Sequence, residues 1–99
     1  MQEKKIERLL SSMVKELGGV AYKFTSPNRR SVPDRLCVLP NLPAFFVECK
    51  TIGEKPTVLQ AREIARLRSL GQEVFIVDNL PDLLLIMEVK KDELGSNSR

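Results

Sequence analysis

The sequence predicts an α/β domain: a small mixed β-sheet flanked by helices, with elements in the order α-β-β-β-α-β-α. Three patterns lead there. Apolar residues from Ile6 to Leu17 recur at three and four residues. Two strand-like runs follow each other across a short Pro/Asn turn. A third run is followed by a helical stretch and one more strand, a βαβ unit whose two strands are parallel.

The first helix is read over Gln2–Leu17, where Ile6, Leu9, Leu10, Met13, Val14 and Leu17 make one apolar face. Gly18-Gly19 stops it. Val20–Phe24 is a short strand, and Thr25–Arg30 a loop with Ser26-Pro27-Asn28 as its turn signal. Pro33 opens the next strand, Asp34–Leu39, at a position where a strand tolerates proline. Pro40-Asn41-Leu42-Pro43 turns the chain into Ala44–Lys50, apolar on both faces for most of its length and so a central strand. Ile52–Pro56 is a loop. A second helix runs from Thr57 to Leu70, with Gln60 three residues after Thr57 as in a capping box and Gly71 as its stop. Glu73–Val77 is the last strand, and a short helix from Leu80 to Val89, capped by Asp78 or Asn79, ends the fold. Residues 1–94 form one domain, and the small polar residues Gly95 to Arg99 are expected to be a disordered tail.

Ninety-nine residues with an excess of three positive charges and a pI near 9.1 give a weak hint of an anionic partner. The distribution says more. Lys23, Arg29, Arg30 and Arg35 crowd around the polar segment Thr25–Pro33. The chain has no histidine, which removes His-ligated zinc, Ser-His-Asp triads and His-based hydrolysis. Cys37 and Cys49 lie inside apolar runs and read as buried free thiols of a reduced, cytoplasmic protein. No stretch approaches membrane-spanning length, and no membrane partner is expected.

The chemistry concentrates at Phe46-Val47-Glu48-Cys49-Lys50. Alternation places Glu48 and Lys50 on one face of the strand, about 6.5–7 Å apart along it. An isolated Glu-x-Lys is usually a solvated strand end. Here a second carboxylate, Asp34, opens the preceding strand. If the two strands form an antiparallel hairpin, Asp34 lies beside Glu48 or Lys50. Two carboxylates with a lysine nearby make an oxygen-rich site for a hard cation; magnesium prefers such ligands and adds the phosphate oxygens of a substrate.

Pro33-Asp34 followed by Glu48-Cys49-Lys50 resembles the PD-(D/E)XK nuclease superfamily. The match is closer to its VRR-NUC branch, in the stand-alone phage type. It is carried by Gly18-Gly19-Val20-Ala21-Tyr22-Lys23-Phe24-Thr25-Ser26-Pro27, by Arg30-Ser31-Val32-Pro33-Asp34-Arg35, by Phe46 to Lys50 and by Leu59-Gln60. The resemblance implies a restriction-endonuclease-like core and a catalytic set of Asp34, Glu48, Lys50, Glu7 and Gln60. In that set Asp34, Glu48 and the backbone carbonyl of Cys49 hold the metal, and Glu7 reaches it through water. Glu3, one turn earlier, is a rival to Glu7. Lys50 would orient or help deprotonate the attacking water, and Gln60 has a second explanation as a helix cap. Cys49 departs from the aliphatic residue more usual there. Lys23, Ser26, Arg29, Arg30, Arg35 and Lys55 are the expected DNA contacts, mainly to phosphates.

These readings converge on a magnesium-dependent DNA endonuclease, with manganese as a substitute metal and no small-molecule cofactor, working in the cytoplasm of a bacterial host or phage-infected cell. The resemblance, to stand-alone nucleases of dimeric habit, implies branched DNA such as a four-way (Holliday) junction as the substrate and a homodimer as the form. The core is small, and Leu83 to Met87 are too continuously apolar for one helix face. The alternative is a non-catalytic DNA-binding or assembly module that keeps the fold. A metal-dependent enzyme acting on another phosphate ester fits the basic loop less well.

Overall fold

The computed structural model describes residues 2–29 and 31–97. The apolar stripe of the N-terminal segment forms α1, Glu3–Glu16, burying Ile6, Leu10 and Val14. Its end is a Schellman turn: Gly18 sits at φ 87°, its N–H donates to Lys15 O, and the N–H of Gly19 reaches back to Val14 O. Gly19 is glycine for another reason. A Cβ there would lie 2.1 Å from the carbonyl oxygen of Val38, so the chain leaves the helix against the neighbouring strand with no room for a side chain.

Strands β1 (Val20–Lys23), β2 (Arg35–Val38), β3 (Phe45–Cys49) and β4 (Glu73–Val77) form one sheet in the order β1-β2-β3-β4. The first two pairings are antiparallel and β3–β4 is parallel, as the βαβ pattern predicts. The crossover helix α2, Val58–Ser69, begins at the expected capping box: Gln60 N–H donates to Thr57 Oγ1 and Thr57 N–H to Gln60 Oε1. It ends at Gly71 in a second Schellman turn, with Gln72 N–H on Leu67 O. Phe45, Val47, Cys49 and Val77 turn to the face covered by α1 and by α3, Leu80–Asn97, where they meet Ile6, Leu10, Val14, Leu83 and Met87 in the core. On the other face α2 packs on β4, and Ile64 and Val74 are buried there.

The element order matches the expected one throughout. Strand ends fall short by a residue or so; Asp34 and Lys50 flank their strands and do not sit within them. The substantial difference is α3, which runs eight residues past the expected end at Val89. Two anchors extend it. Leu94 packs against the core, and the buried ammonium of Lys90 pairs with Glu73 of β4 and, at 3.3 Å, with Glu93. The Lys90 Nζ also lies 4.8 Å from the centre of the Phe45 ring. Gly95, Ser96 and Asn97, which the sequence places in a disordered tail, belong to this helix, whereas Ser98 and Arg99 of that expected tail lie outside the described residues. The cysteines are free and buried as expected, and burial pushes the Cys37 thiol up to about 12. No described helix is long and apolar enough to cross a membrane.

Candidate active site

The β2–β3 register pairs Arg35 with Val47, so the next step of the ladder sets Asp34 opposite Glu48. Asp34 is fixed there because its Oδ2 accepts the backbone N–H of Cys49 at 2.8 Å. Pro33, fully buried, holds the approach to the strand. Glu48 is 1% exposed, yet its carboxyl faces Asp34. Burial first, then the charge of Asp34, push it up to about 7, while contact with Lys50 pulls the other way. Its Oε2 lies 3.1 Å from Lys50 Nζ, and its Oε1 is buried with no hydrogen-bond partner among the described residues.

Lys50, 7% exposed, is the hub of the site. Besides Glu48 it donates to Gln60 Oε1 at 2.8 Å and lies 4.0 Å from Glu54 Oε1. The same Gln60 oxygen closes the capping box and accepts from the lysine. The start of α2 is thereby tied to the end of β3.

The first helix sets its two glutamates in different surroundings. Glu7 Oε1 accepts from Arg35 Nε at 2.9 Å, and Arg35 also donates to the Ala21 carbonyl at 3.0 Å. This pair is mostly buried and ties α1 to the sheet. Arg35 is thus bound within the fold, apart from the exposed cations it was grouped with. The carboxyl of Glu3 also feels the site: burial raises it first, the charge of Asp34 raises it further, and Lys50 lowers it.

Of the other expected DNA contacts, Lys23, Ser26 and Arg29 line one groove that ends at Asp34. Arg29 Nη1 lies 3.3 Å from Glu63 of α2. Lys55 is exposed on the loop after β3, near Asp78, whose carboxyl is held low chiefly by the Gly53 N–H. Arg30 lies outside the described residues. The sequence reading missed Glu54, which a position four residues beyond Lys50 could have signalled, and the arginines of α2 beside Arg29.

Among the described residues no three His, Cys, Asp or Glu side chains by themselves enclose a metal position. A magnesium ion does not need them: it is commonly held by one or two carboxylates, with water and substrate phosphate completing the shell. Asp34 and Glu48 meet that need. The buried, unpartnered Oε1 of Glu48 and the mutual repulsion of two carboxylates are the features a divalent cation would relieve.

No family model matches the chain. A curated relative from Acyrthosiphon pisum secondary endosymbiont phage 1, "Putative nuclease p44", is 56% identical over 79 residues, which is 80% of this chain and 85% of the relative. A solved structure described as a VRR-NUC domain superposes with a TM-score of 0.82 and 31% identity, covering 87% of this chain and 94% of its own. With the fold, the element order and this degree of identity agreeing, the chain belongs to the VRR-NUC nucleases, in their phage branch.

Proposed function

We propose that the chain is a magnesium-dependent DNA endonuclease that hydrolyses phosphodiester bonds at Asp34, Glu48 and Lys50. The observation that carries this reading is the pairing of the buried Glu48 carboxyl, one of whose oxygens is unsatisfied among the described residues, with the half-buried Asp34, directly beside a lysine ammonium. Asp34 and Glu48 would hold the ion, with the Cys49 carbonyl as a further ligand and Glu3 or Glu7 acting through water. When bound, magnesium neutralises phosphate charge and lowers the pKa of a coordinated water; manganese would serve as well.

The chain's own groups do the rest. The Cys49 N–H fixes the Asp34 carboxylate, so the ligand is oriented before metal or substrate arrives. Gln60 and Glu48 hold the Lys50 Nζ at the inner end of the site, where it places positive charge beside the scissile phosphate and can exchange a proton with the attacking water. The groove along Lys23, Ser26 and Arg29 would lead the DNA backbone to Asp34.

We further propose a homodimer acting on branched DNA. Leu84, Leu85 and Val89 stay 47%, 65% and 46% exposed on α3, while Leu83 and Met87 finish the core. A two-fold pairing through that face would cover them and hold two sites at a fixed separation, as paired cuts in a four-way junction require. Labelled four-way junction, flap and linear duplex, incubated with and without magnesium, test both parts. Cleavage should require the metal and vanish in Asp34→Asn. Undiminished turnover in that variant would sink the site, and equal rates on linear duplex and junction would sink the substrate preference. A monomeric mass by light scattering would rule out the dimer.

A further inference from the structure

Leu59, Arg62, Glu63 and Arg66 recur at three and four residues along α2 and so form one stripe. Arg62 and Arg66 are exposed, and among the described residues neither guanidinium has an ion-pair partner. Exposed arginines alone mean little. These two line a groove together with Arg29 and Ser31, distinct from the groove lined by Lys23, Ser26, Arg29 and Asp34. Arg29 belongs to both. The two grooves therefore meet at Arg29, one lined also by Lys23, Ser26 and Asp34 and the other by residues of α2.

We propose that the α2 groove is a phosphate-backbone track, in which Arg62 and Arg66 hold the DNA strand that flanks the bond being cut. This rests on the nuclease reading of the site and adds binding residues that the sequence reading did not include. Two observations select DNA backbone as the occupant. The first is charge: three arginines line the groove, and the apolar lining residue is Leu59, whereas a protein-binding groove would be expected to offer a larger apolar anchor. The second is its meeting at Arg29 with the groove that includes Asp34, combined with spacing. Four helical residues separate Arg62 from Arg66 by about 6 Å along the axis, so the two guanidiniums can reach separate phosphates of one strand.

Glu63 sits in the middle of the stripe with its carboxylate on Arg29 and its side chain 11% exposed. In the free protein it holds Arg29 to α2. A DNA phosphate takes over that guanidinium as the strand enters, and the carboxylate left behind repels the backbone, so Glu63 limits affinity.

The experiment is equilibrium binding of a fluorescent DNA duplex across a salt series, with the full chain carrying Asp34→Asn to prevent cutting. Arg62→Ala with Arg66→Ala should lower the slope of log affinity against log salt by about two, at about 0.9 for each phosphate contact. Arg62→Lys with Arg66→Lys should keep most of the slope, which a purely structural role would not require. Glu63→Gln should bind several-fold more tightly. An unchanged slope in the double alanine variant would mean that the stripe serves some other partner and overturns the proposal, as would weaker binding by Glu63→Gln. Failure of the nuclease reading looks different: the wild-type chain would cut none of the DNA substrates with any divalent metal, while arginine-dependent binding persisted.

Discussion

Glu48→Gln is expected to abolish cleavage and yet to stabilise the metal-free protein above neutral pH. The carboxyl is pushed from 4.5 up to about 7 by burial and by Asp34, against the pull of Lys50. At about 1.4 kcal/mol per pH unit, keeping it ionised in the fold costs on the order of 3 kcal/mol. The sign follows from proton binding. Between pH 4.5 and about 7 the unfolded carboxyl has lost its proton while the folded one retains it. Stability from this group is therefore complete below 4.5 and lost as pH rises through about 7. The value of about 7 already includes the pull of Lys50, so glutamine, standing in for the neutral carboxyl, should gain up to about 3 kcal/mol at pH 8, at about 4–8 °C in melting temperature per kcal/mol for a chain of this size. At pH 5 the gain should vanish or reverse. Thermal melts in EDTA at the two pH values measure it, and the absence of histidine keeps the window largely free of other titrations. Added magnesium should raise the melting temperature of the wild type and leave the variant nearly unmoved. If Glu48→Gln melts lower than wild type at pH 8 without metal, or keeps the wild-type pH slope, Glu48 is not a frustrated buried anion and the argument for a cation at that site loses its main support.

Lys50→Gln should retain the fold and lose roughly 10²–10⁴-fold in cleavage rate if its ammonium takes part in proton transfer; single-turnover rates at saturating magnesium check this, and wild-type rates would remove the role. Gly19→Ala would force a methyl group to within 2.1 Å of the Val38 carbonyl oxygen. It should cost about 1–3 kcal/mol or more by urea denaturation, and a neutral result would mean that the α1–β1 connection shifts freely. Lys90→Met keeps a chain of similar length over Phe45 and Phe75 and should be close to neutral, because the exposed carboxylate of Glu73 regains water. Lys90→Ala also opens space in the core and should cost about 2 kcal/mol or more. Equal losses in the two variants would show that charge pairing, not packing, holds α3.

The α1 stripe, the stops at Gly18 and Gly71, the capping box at Thr57 and the buried β3 were legible in the sequence because each depends on neighbours within a few residues. Periodicity also placed Glu48 and Lys50 on one face, and Pro33-Asp34 marked the strand beside them. What remained open or hidden is long-range. The hairpin left Asp34 beside Glu48 or Lys50, and the β2–β3 register selects Glu48; only the packing of α1 on the sheet gives Glu7 to Arg35 while leaving Glu3 near Asp34 and Lys50. Arg35 looked like any other cation of the basic loop until that pairing withdrew it from the surface. The length of α3 shows the same division. Its local signals fade after Val89, where glycine and serine approach, but Lys90 meets Glu73 from a strand seventeen residues earlier and Leu94 meets the core. Local propensity therefore specified which elements form. Burial, which rewards contacts between residues far apart in the chain, decided where the helix ends and which of two neighbouring glutamates pairs with Arg35.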